Sequence, residues 1–407
     1  VFSLSYIFEM GKFSDKELSL AIQYLEYLGT DEYSAEEIEK ELFKLGLNYN
    51  VYVGNERLYV SLSGLEESFE KGIEMFEHIL KNVQPDQVAY GNMIKDLLRK
   101  RADNKKSKWR IQSAMRDYAK YGNDSPTKYM LSEEELLKVD IQKLVEKIKE
   151  LSSFEHYIYY YGRKNIIDVQ NLLKKHHFIA EVLKPVIPSK KFLELDNHDN
   201  IVYFSDYDMV QSEISMISKG PNYNKELIAP GRLFNEYFGS GLSSIVFQEI
   251  RESKALAYSA RSYFSTPKKS DQSHYITASL GTQVDKLNEA TLALLDLMNN
   301  MPESEGQFND AKTAALKKIE TSRTKRSSIF WRYLDAKKIG LDYDLNKDIY
   351  QELNLLTLND LKLFFNQNIK DKNYTFLVIG DSKWVDKGAL TQIGDYQELS
   401  LEQLFGY

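Results

Sequence analysis

Few residues of this sequence could bind a metal ion or act as a nucleophile. The chain has no cysteine, which excludes thiolate catalysis, Cys-type zinc sites and disulfide frameworks. Its six histidines are His78, His156, His176, His177, His198 and His274. None of these lies in an H-x-x-E-H or H-E-x-x-H motif. A zinc-hydrolase site would therefore have to assemble from histidines and carboxylates that are distant in the sequence.

A second candidate for chemistry is the pair Arg251 and Tyr258, which lie seven residues apart. A guanidinium and a phenol are both hydrogen-bond donors at neutral pH. Donors aimed at a carbonyl oxygen stabilise the negative charge that develops there during peptide hydrolysis, by about 3–4 kcal/mol. Each residue also has a structural explanation, because an arginine near a helix C-terminus interacts with the helix dipole and a tyrosine that opens a strand readily packs. The two residues alone do not decide between these explanations.

Composition disfavours nucleic-acid and nucleotide binding. The chain has a net charge of −7 and a pI near 5.6. The basic stretch Lys95–Arg110 is interspersed with Asp and Asn, which predicts a solvated face of a long helix, with a positively charged chamber for acidic peptides as the alternative. Gly239-Ser240-Gly241 lacks the Lys-Ser/Thr of a phosphate loop. No apolar run reaches the ~18 residues of a membrane span, so none is expected.

The elements that must position these residues occur in two copies. In each copy a helix stops at a glycine, a second helix and two alternating strands follow, and after more helices an apolar strand closes the copy at another glycine. Corresponding positions are Gly29 and Gly239, Tyr49–Val53 and Tyr258–Phe264, Leu58–Leu62 and His274–Leu280, Pro85 and Pro302, and Gly162 and Gly380. The spacing of 217 to 218 residues in the second half of each copy indicates domain duplication.

The fold class predicted from this pattern is α+β, with two duplicated domains that are each an antiparallel sheet covered on one face by helices. The domains are expected at residues 1–182 and 201–407, with a Pro- and Lys-containing linker at 183–200. Helices are expected to start at Ser34, Asp140 and Thr357. Tyr157–Gly162 is predicted to be a buried closing strand, like its counterpart in the second copy. The chain opens at Val1, directly in a predicted strand, which suggests a piece of a longer protein.

Several of these residues resemble signatures of the insulinase/pitrilysin family of zinc peptidases. The likeness is most specific in Tyr237–Ser244, Phe247–Arg251 and Ala255–Ser259, and is also present at Leu28–Thr30 and Ser34–Ile38. The resemblance implies a metallopeptidase LuxS/MPP-like fold, with four duplicated domains in two halves that close around an unfolded peptide. Residues 1–182 would then be the third of the four domains and residues 201–407 the fourth.

The family's zinc motif is missing from this chain. Family members carry H-x-x-E-H on the first helix of one domain. Placing Gly29-Thr30 on the family's Gly-Thr puts Leu20 and Tyr24 at the two imidazole positions and Gln23 at the general base. Leucine offers zinc no donor atom, and glutamine cannot take a proton from a metal-bound water. The resemblance therefore implies that zinc lies in an N-terminal half or a partner chain, and that this chain holds none.

The resemblance also implies a role for Arg251 and Tyr258, because the family's non-zinc half lends an Arg and a Tyr at this spacing to the substrate. We therefore expect the C-terminal, substrate-binding half of a zinc metalloendopeptidase, inactive alone. Its partners would be the zinc-bearing half and an unfolded peptide, with no nucleic acid. The strands Tyr49–Val53 and Tyr258–Phe264 are candidates for binding an extended peptide at a sheet edge.

Two other functions stay open at this stage. The chain could be a non-catalytic scaffold or partner subunit, like the family's respiratory-complex core proteins, or a peptide-binding protein without protease activity. Retention of both Arg251 and Tyr258 favours the enzyme half, because a scaffold needs neither. The sequence gives neither substrate nor compartment, although the export of bacterial members with this architecture favours the periplasm.

Overall fold

A computed structural model describes all residues from Val1 to Tyr407. The strands are β1 Phe2–Phe8, β2 Leu47–Val53, β3 Leu58–Gly64, β4 Tyr157–Tyr161, β5 Ile201–Asp206, β6 Gln211–Asn222, β7 Ser259–Ser265, β8 Ser273–Gln283, β9 Thr375–Gly380 and β10 Asp395–Glu398. The α-helices are α1 Lys16–Tyr24, α2 Ala35–Lys44, α3 Phe69–Asn82, α4 Gln87–Lys106, α5 Lys108–Tyr121, α6 Glu133–Leu137, α7 Ile141–Lys149, α8 Ile166–His176, α9 Ile228–Phe234, α10 Leu287–Asn299, α11 Glu305–Thr321, α12 Arg326–Lys338, α13 Asn346–Leu355, α14 Leu358–Asn368, α15 Lys387–Thr391 and α16 Leu401–Phe405. Two π-helical segments, Asn235–Gly239 and Phe247–Ser253, lie between α9 and β7. No helix is long and apolar enough to cross a bilayer.

The chain divides into two compact units. The first consists of Val1–Asn104, Thr127–Phe192 and Tyr407, and the second of Lys105–Pro126 and Leu193–Gly406. Each unit has its own hydrophobic core between a sheet and its helices. The change of unit between Phe192 and Leu193 falls within the predicted linker.

Both units contain the same arrangement of four antiparallel strands. The order is β2-β3-β1-β4 in the first unit and β7-β8-β6-β9 in the second, so each hairpin and each closing strand takes an equivalent place. The predicted fold class and duplication are therefore confirmed.

The second sheet has two further strands. β5 and β10 add in parallel beyond β9, which makes a six-stranded sheet and leaves every residue of β9 buried. Nothing corresponds to them in the first unit, so β4 is an edge strand, with Tyr157 39% and Tyr161 46% exposed. The prediction that this closing strand is buried was wrong, because the strands that cover its counterpart have no equivalent in the first copy.

The expected helix starts are confirmed. The Ser34 hydroxyl accepts from the Glu37 backbone while the Glu37 carboxylate accepts from the Ser34 backbone. Asp140 caps α7, and Thr357 caps α14. These side chains accept hydrogen bonds from backbone N–H groups that have no partner within the helix. The starts of these helices can therefore be predicted from local sequence.

Helix α5 belongs to the second unit, although the repeat placed it within residues 1–182. The basic stretch Lys95–Arg110 is interrupted at Ser107, and α5 then packs on the second sheet. Lys108 bonds with a carboxylate on β6, and the Tyr118 ring meets the Tyr203 ring edge-on at 5.3 Å. Side-chain contacts between α5 and the second sheet, rather than the local sequence pattern, determine the unit to which α5 belongs.

Candidate functional site

Arg251 lies on the π-helical segment Phe247–Ser253, and its side chain is 45% exposed. Its guanidinium stacks over the Phe247 ring at 4.8 Å, and its Nε lies 3.6 Å from a carboxylate oxygen of Glu252. Both contacts are local to the helix. They orient the guanidinium without burying it, so Arg251 keeps donors available to a ligand.

The segment that links Arg251 to Tyr258 is fixed by backbone contacts. Leu256 N–H donates to the Ile250 carbonyl at 3.0 Å, and the Thr282 hydroxyl donates to the Leu256 carbonyl at 2.6 Å. Ala255 has a φ of +48°, a conformation that is strained for a residue with a Cβ atom. A strained turn held by hydrogen bonds on both sides defines how the helix end and β7 are placed relative to each other.

Tyr258 lies just before β7 and is 44% exposed. Its N–H donates to the Gly281 carbonyl of β8 at 3.0 Å, and its ring lies directly over Gly281. A Cβ atom at position 281 would come within 2.3 Å of the ring's Cζ and hydroxyl oxygen. Because Gly281 has no side chain, the Tyr258 ring can lie across the sheet at this position, which we call the Gly281 seat.

The Tyr258 hydroxyl donates to Glu213 Oε1 at 3.2 Å. Gly281 is the register partner of Glu213 across β6 and β8, so a ring lying over Gly281 reaches that carboxylate. Burial, the negative charge of Glu213 and this hydrogen bond raise the pKa of Tyr258 to about 12. The phenol therefore stays protonated, and remains a donor, throughout the physiological pH range.

Glu213 also accepts hydrogen bonds from helix α5. Lys108 Nζ lies 2.5 Å from Oε1, and Gln112 Nε2 donates to Oε2. Burial alone would raise the pKa of Glu213, but the bonds from Lys108 and Gln112 outweigh it and the net shift is downward. Glu213 thus stays ionised beside the phenol.

Sequence reasoning singled out Arg251 and Tyr258, but it did not identify Glu213, which contacts Tyr258, or Lys108 and Gln112, which contact Glu213. Lys108 was assigned to a solvated helix face, and this part of the interpretation was wrong. The structure joins Lys108 to a carboxylate 105 residues away. The sequence contained one indication of Glu213. The alternation along β6 places Glu213 on the sheet face opposite the buried Ile214 and Met216.

Both candidate peptide-binding strands, β2 and β7, lie at sheet edges. The β7 edge is partly occupied, because the Asn235 side chain donates to the Phe264 carbonyl at 3.0 Å and accepts from its N–H at 2.7 Å. Gly239 lies so close to β7 that a Cβ atom there would be 2.0 Å from the Ser262 carbonyl oxygen. An extended peptide could not pair with β7 at Phe264 without displacing Asn235.

The positions aligned with the zinc motif are structural. Leu20 and Tyr24 of α1 are 3% and 0% exposed. The Tyr24 hydroxyl donates to the Asp86 carbonyl at 2.6 Å and accepts from its N–H at 2.8 Å, while exposed Gln23 donates to the Ser19 carbonyl. These residues do not fit a zinc ion, because the Leu20 side chain has no donor atom and the Tyr24 oxygen is already satisfied. No three His, Asp or Glu side chains of the chain are grouped to hold a metal.

Comparison with known proteins agrees with this architecture. Residues 140–315 match the family model described as the peptidase M16 inactive domain. The predicted resemblance to the non-zinc half of this zinc peptidase family is thereby confirmed.

Relatives of the M16 inactive domain extend the comparison. Over 268 residues, 62% of the chain, it is 25% identical to an uncharacterized zinc protease of Rickettsia felis, and the match covers 61% of that protein. The chain thus spans about three fifths of the length of this curated relative.

Two solved structures share the fold. A peptidase M16 inactive domain from Pseudomonas fluorescens superposes with a TM-score of 0.71 at 16% identity, over 95% of this chain and 93% of that one. The ferredoxin protease FusC, in complex with Arabidopsis ferredoxin, gives 0.72 at 13% identity, over 93% of this chain but 42% of that one. In that protein, the matched fold is one part of a longer chain.

Replacing the carboxylate beside Tyr258 should lower the pKa of the phenol. In Glu213→Gln the negative charge is lost but burial, the larger cause of the shift, remains, so the pKa of Tyr258 should fall from about 12 while staying above the ordinary value near 10. The measurement is a 13Cζ-tyrosine NMR titration, with the Tyr258 signal assigned from its loss in Tyr258→Phe. An identical Tyr258 titration in wild type and Glu213→Gln would contradict the network.

Adding a methyl group at Gly281 should displace the Tyr258 ring. We expect Gly281→Ala to break the bond to Glu213, to move the Tyr258 signal towards that of an exposed tyrosine, and to destabilise the chain by about 1–3 kcal/mol in urea unfolding. Gly306→Ala is the matched control, because a Cβ atom there would meet no atom within 4 Å. A Tyr258 signal unchanged in Gly281→Ala would show that the ring does not depend on this seat.

Proposed function

We propose that this chain is the substrate-handling half of a zinc metalloendopeptidase that acts on unfolded peptides or small proteins in a closed chamber. The observation that carries the proposal is that Arg251 and Tyr258 are solvent-accessible, in a chain where Leu20 and Tyr24, at the two imidazole positions of the zinc motif, are packed into a core. A purely structural pair would be buried.

In this proposal Tyr258 donates to the scissile carbonyl oxygen and Arg251 to a neighbouring substrate carbonyl. Donors that are held in place before the reaction stabilise the developing charge without a cost of reorganisation. The Gly281 seat and the two hydrogen bonds of the Leu256 backbone, directly after Ala255, supply that order. Because the phenol already donates to Glu213, a substrate carbonyl must take the place of that carboxylate as acceptor.

The zinc-bearing half is proposed as the partner, either upstream in the same polypeptide or as a separate chain. Two comparisons support this arrangement: the match covers 61% of the Rickettsia zinc protease and 42% of the ferredoxin protease. Zinc would be supplied by that half, since the α1 residues here do not fit it. A reading frame encoding H-x-x-E-H, upstream or adjacent in the genome, is a simple discriminating observation.

A non-catalytic scaffold and a peptide-binding protein without protease activity are the rival functions. Either would retain the fold, but neither requires two accessible donors joined by a strained, doubly anchored turn. Activity of the complete protein separates the enzyme half from both rivals.

The complete protein, including the zinc-bearing half, should hydrolyse unstructured peptides, and a chelator should abolish this activity. The 407-residue chain assayed beside it should be inactive, because its α1 lacks the H-x-x-E-H motif. Cleavage is measured with a quenched fluorescent peptide library, and activity is restored by added zinc. A complete protein that binds peptides without cleaving them would support the peptide-binding rival.

Removing either donor should lower turnover much more than stability. In the complete protein, Tyr258→Phe and Arg251→Ala should each reduce kcat by roughly 100- to 1,000-fold, the usual effect of losing one preorganised donor. The matched controls are Tyr263→Phe, a 49% exposed tyrosine on β7, and Lys254→Ala, an exposed cation three residues after Arg251. Unchanged kcat in both donor variants would remove these residues from the mechanism.

A further inference from the structure

The first unit contains a cavity of about 300 Å³ that has no part in the proposed chemistry. Its apolar walls come from β1, β3, α3 and α7 and the turn that follows α7, through Phe8, Val60, Leu80, Ile148 and Leu151. This volume is at the lower end of the range of small-molecule sites, about 300–1,000 Å³. The cavity therefore suits a small ligand with an apolar body.

One wall of the cavity contains a chain of hydrogen-bonded side chains. Burial lowers the pKa of His156, which keeps it neutral, and its Nδ1 donates to the Phe154 carbonyl at 2.7 Å. His156 Nε2 must then accept from His177 Nε2 at 3.0 Å. His177 Nδ1 lies 2.8 Å from Glu77 Oε1, so His177 connects His156 to this carboxylate.

The polar groups of this wall are paired with one another. Tyr6 donates to the same Glu77 oxygen at 2.5 Å, so Glu77 contacts both Tyr6 and His177. The Glu77 side chain is 15% exposed and that of His177 is 2% exposed.

The rim, in contrast, carries positive charge. Lys81 at the end of α3 and Lys149 at the end of α7 are exposed, line the cavity and form no ion pair. The third lysine there, Lys184, is compensated by Glu150 at 3.3 Å. Two ammonium groups without an ion pair thus lie at the rim of an apolar cavity whose polar wall groups are paired with one another.

We propose that this cavity binds a small amphipathic carboxylate, whose apolar body fills the cavity and whose carboxylate lies between Lys81 and Lys149. The site belongs to the first unit and does not depend on Arg251, Tyr258 or the peptidase activity. Apolar burial provides affinity for any ligand of this shape, and the two lysines select the anion.

The test compares three eight-carbon probes on the 407-residue chain by calorimetric titration and thermal unfolding. Octanoate should bind and raise Tm, and 1-octanol, which has no charge to pair with the two lysines, should bind about tenfold more weakly. Octylammonium should bind weakest of all, because the lysines repel its charge. Equal binding of octanoate and octylammonium, or no binding of octanoate, would overturn the proposal.

Variants test where the site lies and distinguish the contribution of the lysine rim from that of the apolar cavity. Lys81→Gln/Lys149→Gln should weaken octanoate to the level of octanol and leave octanol unchanged. The control Lys71→Gln/Lys143→Gln removes the same charge from exposed positions of the same two helices, away from the cavity, and should bind like wild type. Leu80→Trp should fill the cavity and abolish binding of both. Full octanoate affinity in the rim variant, or in a folded Leu80→Trp chain, would refute the assignment.

Discussion

The half-buried carboxylate of Glu213 joins three parts of the second unit that are far apart in the sequence. An ionised carboxylate in this position is stable only if its oxygens receive hydrogen bonds. Lys108 and Gln112 supply them from α5, and Tyr258 supplies another from the start of β7. This one requirement explains both why α5 packs with the second sheet and why the phenol at the candidate site has a defined position.

The two units use one strand framework for different purposes. In the first, the helix that would carry a zinc site has apolar and aromatic residues that face its core, and a tyrosine hydroxyl there is satisfied by backbone. In the second, a strained turn between a π-helical segment and an edge strand displays two donors to solvent. The lack of metal ligands at Leu20 and Tyr24 in the first unit and the exposed donors in the second both support the proposal that this chain completes an active site held elsewhere.

The state of Tyr258 bears on how such a site would work. A neighbouring carboxylate keeps the phenol protonated, and so keeps it a donor, but also provides an acceptor that a substrate carbonyl must displace. The ring itself need not move far, because its position is set by Gly281 rather than by the hydroxyl alone. The support is thus organised before substrate arrives, which is the condition under which a donor contributes most to stabilising a transition state.

The sequence by itself determined the duplication, the helix starts, the hairpins, the absence of zinc donors at Leu20–Tyr24 and the Arg251/Tyr258 spacing. Each of these can be inferred from a local residue pattern, such as a capping side chain, alternation along a strand, or a motif of fixed length. Only the tertiary structure decided that α5 joins the second unit, that β5 and β10 cover β9 while β4 stays exposed, and that Glu213 and Gly281 hold Tyr258. These depend on contacts between residues far apart in the sequence, for example 23 positions for Tyr258 and Gly281, 105 for Lys108 and Glu213, and 194 for Ile201 and Asp395. A polar residue on a strand or helix has the same local pattern whether it faces water or a partner, so only the folded chain distinguishes the two.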